Sequence, residues 1–173
     1  MWQWLSSYVA VTVAVFIILA SVVAFFLTQQ NTVKNTEFNQ IAKKIADMID
    51  SVSTVSGNTT KMITFETNQS GIPIQKVFYG DIYNINITKN SVKLSQKTRT
   101  AFVNLRTNVH TWNPALLNDS AHNYYTDPSE LEYKDGMNPY LSFNSNTIFK
   151  VIIERKEISV NYDVQYHTFV YLK

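Results

Sequence analysis

At 173 residues the chain is almost neutral, with 15 basic against 13 acidic side chains, a formal charge of +2 and no run of five like charges. A nucleic-acid partner is not expected, because phosphate binding needs a concentrated basic face. Cysteine is absent, which removes disulfides, thiolate nucleophiles and thiolate metal sites together.

The first element in chain order is an apolar helix. Residues 5–27 hold 23 consecutive uncharged positions. At ~1.5 Å per residue they reach ~34 Å, enough to cross a ~30 Å hydrocarbon core. A secretory signal has a basic start and an apolar run of only ~7–15 residues. Here no Lys or Arg precedes the run, and the run is longer. Trp2, Trp4 and Tyr8 sit at one end, where amphipathic rings favour the headgroup layer, and Gln29, Gln30 and Asn31 close the other. Ala10, Ala14, Ala20, Ser21 and Ala24 fall within an arc of about 120°, a face suited to close helix packing. Phe16, Ile18, Phe25 and Phe26 lie outside that arc and would fill gaps between neighbouring helices.

No Gly or Pro occurs before Gly57, so nothing in the sequence breaks the helix after the apolar run. Phe38, Ile41, Ile45, Met48, Ile49 and Val52 recur at spacings of three and four, with Lys43, Lys44, Asp47 and Asp50 largely on the other side. Such a stripe needs a sheet to lie on. Ser56-Gly57-Asn58 is a stop signal, so the sequence predicts one nearly continuous helix of about 50 residues, ~75 Å long, and a first region of residues 1–56.

Beyond it the period changes from 3.6 to 2. Strands are predicted at residues 61–66, 72–79, 82–88, 92–95, 100–105, 148–154 and 158–172, with tight connections at Lys89-Asn90 and at Arg155-Lys-Glu157. Residues 112–146 lose the alternation and are punctuated by Pro114, Pro128, Gly136 and Pro139, which predicts a long surface loop. The expected fold class is α+β: a long N-terminal hydrophobic helix followed by a mainly antiparallel, sandwich-like head over residues 57–173.

Chemistry is sparse. His110, His122 and His167 fall in separate segments with no spacing that sets two ligands on one face, and they read as structural histidines. Asp127, Glu130, Glu132 and Asp135 gather four carboxylates in nine residues. That density suits a hard cation, but the cluster lacks the alternating calcium-loop pattern, and a solvated acidic loop is the plainer reading. No phosphate loop, nucleophile elbow or redox motif occurs, so neither a cofactor nor enzymatic activity is expected. Tyr124, Tyr125, Tyr133 and Tyr140 form either a contact surface or anchors that hold the long loop to its own head. Four Asn-x-Ser/Thr triplets make Asn58, Asn68, Asn86 and Asn118 glycosylation candidates.

The order of parts resembles the type IV pilins and pilin-like proteins of archaea. The resemblance rests on the uncharged apolar helix, the amphipathic continuation Asn39-Gln-Ile-Ala-Lys-Lys-Ile-Ala-Asp-Met-Ile-Asp50 and the start of a β-rich head at Thr60-Lys-Met-Ile-Thr-Phe. It covers the helix and first strands. The apolar segment lacks the Glu that bacterial pilins carry near the mature N-terminus. The resemblance implies a filament whose core is made of packed apolar helices, with heads facing outward. Ala10, Ala14, Phe16, Ile18, Ala20, Ser21, Ala24 and Phe25 would then be the packing interface.

The expected partners are copies of the chain itself, membrane lipid before or instead of assembly, and other surface or membrane subunits. The alternative is a single-pass accessory subunit of a membrane complex with an extracytoplasmic head. Lysines 34, 43 and 44 follow the span and none precedes it, a count that by itself keeps the head in the cytoplasm. The Asn- and Thr-rich strands and the acceptor triplets favour a head outside.

Overall fold

In the computed structural model, residues 2–65, 71–112, 135–136, 139–160 and 163–173 are described. Helix α1 runs Trp2–Ser53 without interruption. It is long and apolar enough in its N-terminal part to cross a membrane. By packing, the chain divides into Met1–Glu37 and Phe38–Lys173. The boundary expected after Ser56 follows the end of the helix. The head itself begins at Phe38, because the amphipathic stripe is part of its core.

Within the head, Phe38, Ala42, Ile45, Ile49 and Val52 are each no more than 1% exposed. Burying each of the large aliphatic side chains contributes about 1.5–3 kcal/mol. Polar contacts fix the same segment of helix. Asp50 Oδ1 accepts from the Arg106 amide at 3.0 Å, Lys61 Nζ donates to Ser51 Oγ at 2.8 Å, and Lys44 Nζ donates to the Pro73 carbonyl at 3.1 Å. The helix closes with the Thr54 amide on the Asp50 carbonyl at 3.1 Å, and Gly57 then turns the chain at a φ of 93° that favours glycine.

Two sheets follow. The first has the order β2-β1-β8-β9-β6, from β1 (Thr59–Thr64), β2 (Ile72–Pro73), β6 (His110–Trp112), β8 (Val151–Val160) and β9 (Asp163–Leu172). The second has the order β5-β4-β3-β7, from β3 (Asn84–Thr88), β4 (Ser91–Gln96), β5 (Arg99–Asn104) and β7 (Tyr140–Asn144). Pairing is antiparallel except where β1 meets β2 and β6 meets β9. The second sheet is cleanly two-sided. Ile85, Ile87, Val92, Leu94, Ala101 and Leu141 are buried on one face, while Asn84, Lys93, Asn104 and Ser142 are exposed on the other. Ile63, Val151, Ile153 and Val170 of the first sheet join the same core cluster as the helical stripe. Phe38 marks one end of that core, with its ring 5.1 Å from Phe78 and 5.7 Å, edge to face, from Tyr83. The Tyr83 hydroxyl donates to the Gln75 carbonyl, and burial pushes its pKa well above the ordinary tyrosine value.

The predicted strands stand with four corrections. Arg155-Lys-Glu157 is not a turn: it lies inside β8, and the hairpin closes two residues past Val160, which pairs with Asp163. Three consecutive charged side chains read as a break in sequence, although Arg155 and Lys156 are half-buried within the sheet. Of residues 72–79 only Ile72–Pro73 pairs, since Pro73 has no amide to donate and tolerates only an edge. Residues 78–81 instead form a tight two-residue turn, with Tyr79 and Gly80 at φ of 48° and 86°. The expected loop over residues 112–146 contains β7, the edge strand that pairs with β3, masked in sequence because only Leu141 of its five positions is buried. Strand β6 was not foreseen, because it is three residues long.

An Ile49→Ala variant should lose about 2–5 kcal/mol of head stability, since it opens a cavity under both sheets. Val15→Ala, at an exposed site, should leave stability within about 0.5 kcal/mol. Thermal unfolding of the detergent-solubilised chain, followed by near-ultraviolet dichroism, measures both.

Candidate functional site

Two features carry functional chemistry: the apolar part of α1 and a cluster of titratable groups on the head. Every side chain described between Ser6 and Leu27 is exposed, including Ala10, Ala14, Phe16, Ile18, Ala20, Ser21, Ala24 and Phe25. Three hydroxyls in and just beyond this stretch are turned inward on the helix itself. Thr12, Ser21 and Thr28 donate to the carbonyls of Tyr8, Ile17 and Ala24 at 2.9, 2.8 and 2.9 Å. Each is thereby satisfied without water, the condition for residing in lipid or between helices. Trp4 and Tyr8 stack at a centroid separation of 6.2 Å near the start of the helix.

The head cluster was not legible in the sequence. Strand β6 runs parallel to β9 with His110 opposite Phe169, and His167 lies two residues earlier on the same face of β9. His110 Nδ1 is 2.9 Å from both oxygens of Asp135, and His110 Nε2 is 2.9 Å from His167 Nδ1. The Phe169 ring stacks on His110 at 5.1 Å. Lys89 Nζ is 3.9 Å from Asp135, and Lys156 stands opposite His167 across β8 and β9.

This pattern assigns the protons. His110 Nδ1–H donates to the carboxylate, which leaves Nε2 as acceptor for His167 Nδ1–H. His167 Nε2 is then a buried acceptor without a partner among the described residues. The two facing nitrogens share one proton, and full protonation of both rings would bring two N–H groups head-on. Burial, and after it the charge of His110, hold the His167 pKa below the ordinary histidine value, while Asp135 pulls the other way.

Of the acidic candidates, Asp135 therefore serves a histidine, whereas Asp127, Glu130 and Glu132 lie outside the described residues. Among the described residues no group of three or more His, Asp or Glu side chains is arranged to hold a metal ion. His122, Tyr124, Tyr125 and Tyr133 also lie outside the described residues, while Tyr140 is exposed in β7. Of the acceptor asparagines, Asn68 and Asn118 lie outside the described residues. Asn58 is exposed after α1, with Oδ1 accepting from the Glu157 amide at 2.8 Å. Asn86 is half-buried in central strand β3 with its Oδ1 withdrawn from solvent. Asn58 is the more accessible of the two.

No protein-family model, curated protein or solved structure matches the chain. The pairing of His110 with His167 had one partial signal in sequence, the alternation Gln165, His167, Phe169, Tyr171. The parallel partner of that strand comes from more than fifty residues away and left none.

Because the unfolded chain protonates His167 near pH ~6.5 and the folded chain resists it, stability is full above that pH and declines as pH falls below it. His167→Gln, which does not titrate, should flatten the fall in melting temperature between about pH 6.5 and 5. Melting curves of both proteins across that range read the difference.

Proposed function

We propose that the chain is a non-enzymatic, pilin-like subunit of an extracellular filament or cell-surface assembly, joined to its copies through the apolar part of α1. The observation that carries this reading is the continuity of the helix. One uninterrupted set of backbone hydrogen bonds links an exposed, uncharged, lipid-length segment to residues 38–52, which are core of the head. An anchor that only holds a domain at a membrane works equally well through a flexible linker. Here the helix instead runs without a break from the apolar segment into residues that the head buries, a connection that suits a filament subunit. The internally satisfied hydroxyls and the small residues on one arc support both lipid storage and close helix packing. The Asn- and Thr-rich outer face of the second sheet and the accessible Asn58 suit an exterior surface.

Ala14→Phe keeps the segment apolar, so membrane insertion and head melting temperature should be unchanged while filaments disappear from sheared cell-surface material viewed by electron microscopy. Normal filaments from this variant would sink the helix-packing reading. An unaltered chain that stays wholly in the membrane fraction would instead favour the anchored accessory subunit.

A further inference from the structure

Strand β5 is an edge of the second sheet, and the ladder register says which of its backbone groups are spare. The Leu105 amide donates to the Asn90 carbonyl at 2.8 Å, which fixes the phase of the pairing between β4 and β5. Residues 99, 101 and 103 therefore bond to β4, while the amides and carbonyls of Thr100, Phe102 and Asn104 point away from the sheet. Among the described residues nothing meets them. The side chains of these three residues are exposed, Phe102 by 57%. Val103, on the inner face, packs on the core but is only half-buried, so the core beneath this edge is incompletely covered. The head's other edges are shielded. Strand β2 has two residues and ends on Pro73, β6 has three and carries the His110 contacts, and β7 lies beside β6 of the first sheet. Strand β5 has six residues, no proline, and β4 as its one close neighbour among the described strands, so it lacks the devices that keep an edge from pairing.

We propose that β5 is a self-pairing edge: the heads of two copies join β5 to β5 antiparallel, making one continuous sheet. The occupant follows from the strand's own sequence. Centred on Phe102, the pairing sets Phe102 against the same residue of the second copy, Thr100 against its Asn104 and Ala101 against its Val103. Each spare amide then finds a spare carbonyl, because residues 100, 102 and 104 exchange both bonds with 104, 102 and 100. On the outer face the two Phe102 rings meet as an aromatic cross-strand pair, with Lys93 beside each. On the inner face Ala101 and Val103 of one copy cover those of the other. No like charges are opposed, since Arg99, the one charged residue of β5, lies outside the paired stretch. A foreign strand would need this match by chance, whereas every copy carries it. The contact uses the head alone and does not depend on how α1 packs.

The chain contains no cysteine, so Lys93→Cys accepts a nitroxide as its single label. Lys93 stands opposite Phe102, so the joined sheet sets two such labels three strand spacings apart, about 14 Å. Ser142 lies in the same cross-strand row, beyond Asn86 on β7, and labels at Ser142→Cys would be seven spacings apart, about 34 Å. Frozen electron-spin spectra of the full chain, concentrated in detergent, should be dipolar-broadened at position 93 and not at 142. Dilution with unlabelled chain should remove the broadening. Adding Phe102→Pro, which deletes an amide that faces outward, or Phe102→Glu, which opposes two like charges, should abolish it while the head still melts cooperatively. Adding Ala14→Phe, which acts on α1, should leave it in place. Absence of broadening at 93, or broadening that survives both Phe102 variants, would overturn the pairing. Broadening at 142 would overturn it in favour of β7, and loss of broadening with Ala14→Phe would overturn it in favour of association through α1.

Discussion

The burial of one helical stripe, Phe38 through Val52, is the interaction on which the head depends. The apolar faces of both sheets converge on those side chains. Without them Ile63, Ile85, Leu94 and Ile153 would face a void that water enters at a cost of several kcal/mol. The three polar contacts of Lys44, Asp50 and Ser51 contribute little to the total by comparison, each a net ~0.5–1.5 kcal/mol or somewhat more where a charge is involved. Their part is to set rotation and register, so that the stripe faces inward and the lysines outward.

This arrangement gives α1 two different solvents along a single hydrogen-bonded path. From Phe38 onward the helix is stabilised by tertiary packing, while before it no apolar side chain described is covered. A chain that leaves so much apolar surface uncovered requires lipid or other protein around it. In the proposed filament the same segment exchanges lipid for neighbouring helices, an exchange between two apolar environments. Close packing of small residues, rather than hydrophobicity, then sets which neighbour is chosen.

The first sheet has a second buried face, and the charged cluster sits there. Phe169 and Ile152 lie on this face beside His110 and His167, so the histidines are partly withdrawn from water and must satisfy one another. Asp135 orients His110, His110 accepts from His167, and the chain of donors ends at a buried nitrogen. Such a chain holds β6 against β9 through side chains where the strand itself contributes only three residue pairs. It also makes that edge of the sheet sensitive to protonation.

Local pattern carried much of the architecture. The 23 uncharged residues, the absence of Gly and Pro before Gly57 and the spacing of Phe38, Ile41, Ile45, Ile49 and Val52 made the helix and its buried face legible, because a helix forms from contacts within a few residues. Alternation gave β1, β3, β4, β5 and β9 in the same way. What sequence could not convey depends on pairing across distance. Strand β7 exists because β3 offers it an edge, and Arg155-Lys-Glu157 remains a strand because β9 continues opposite it. The Asp135–His110–His167 chain requires a parallel pairing between strands more than fifty residues apart. Periodicity reports the faces of one element. Which faces meet is a property of the packed chain alone.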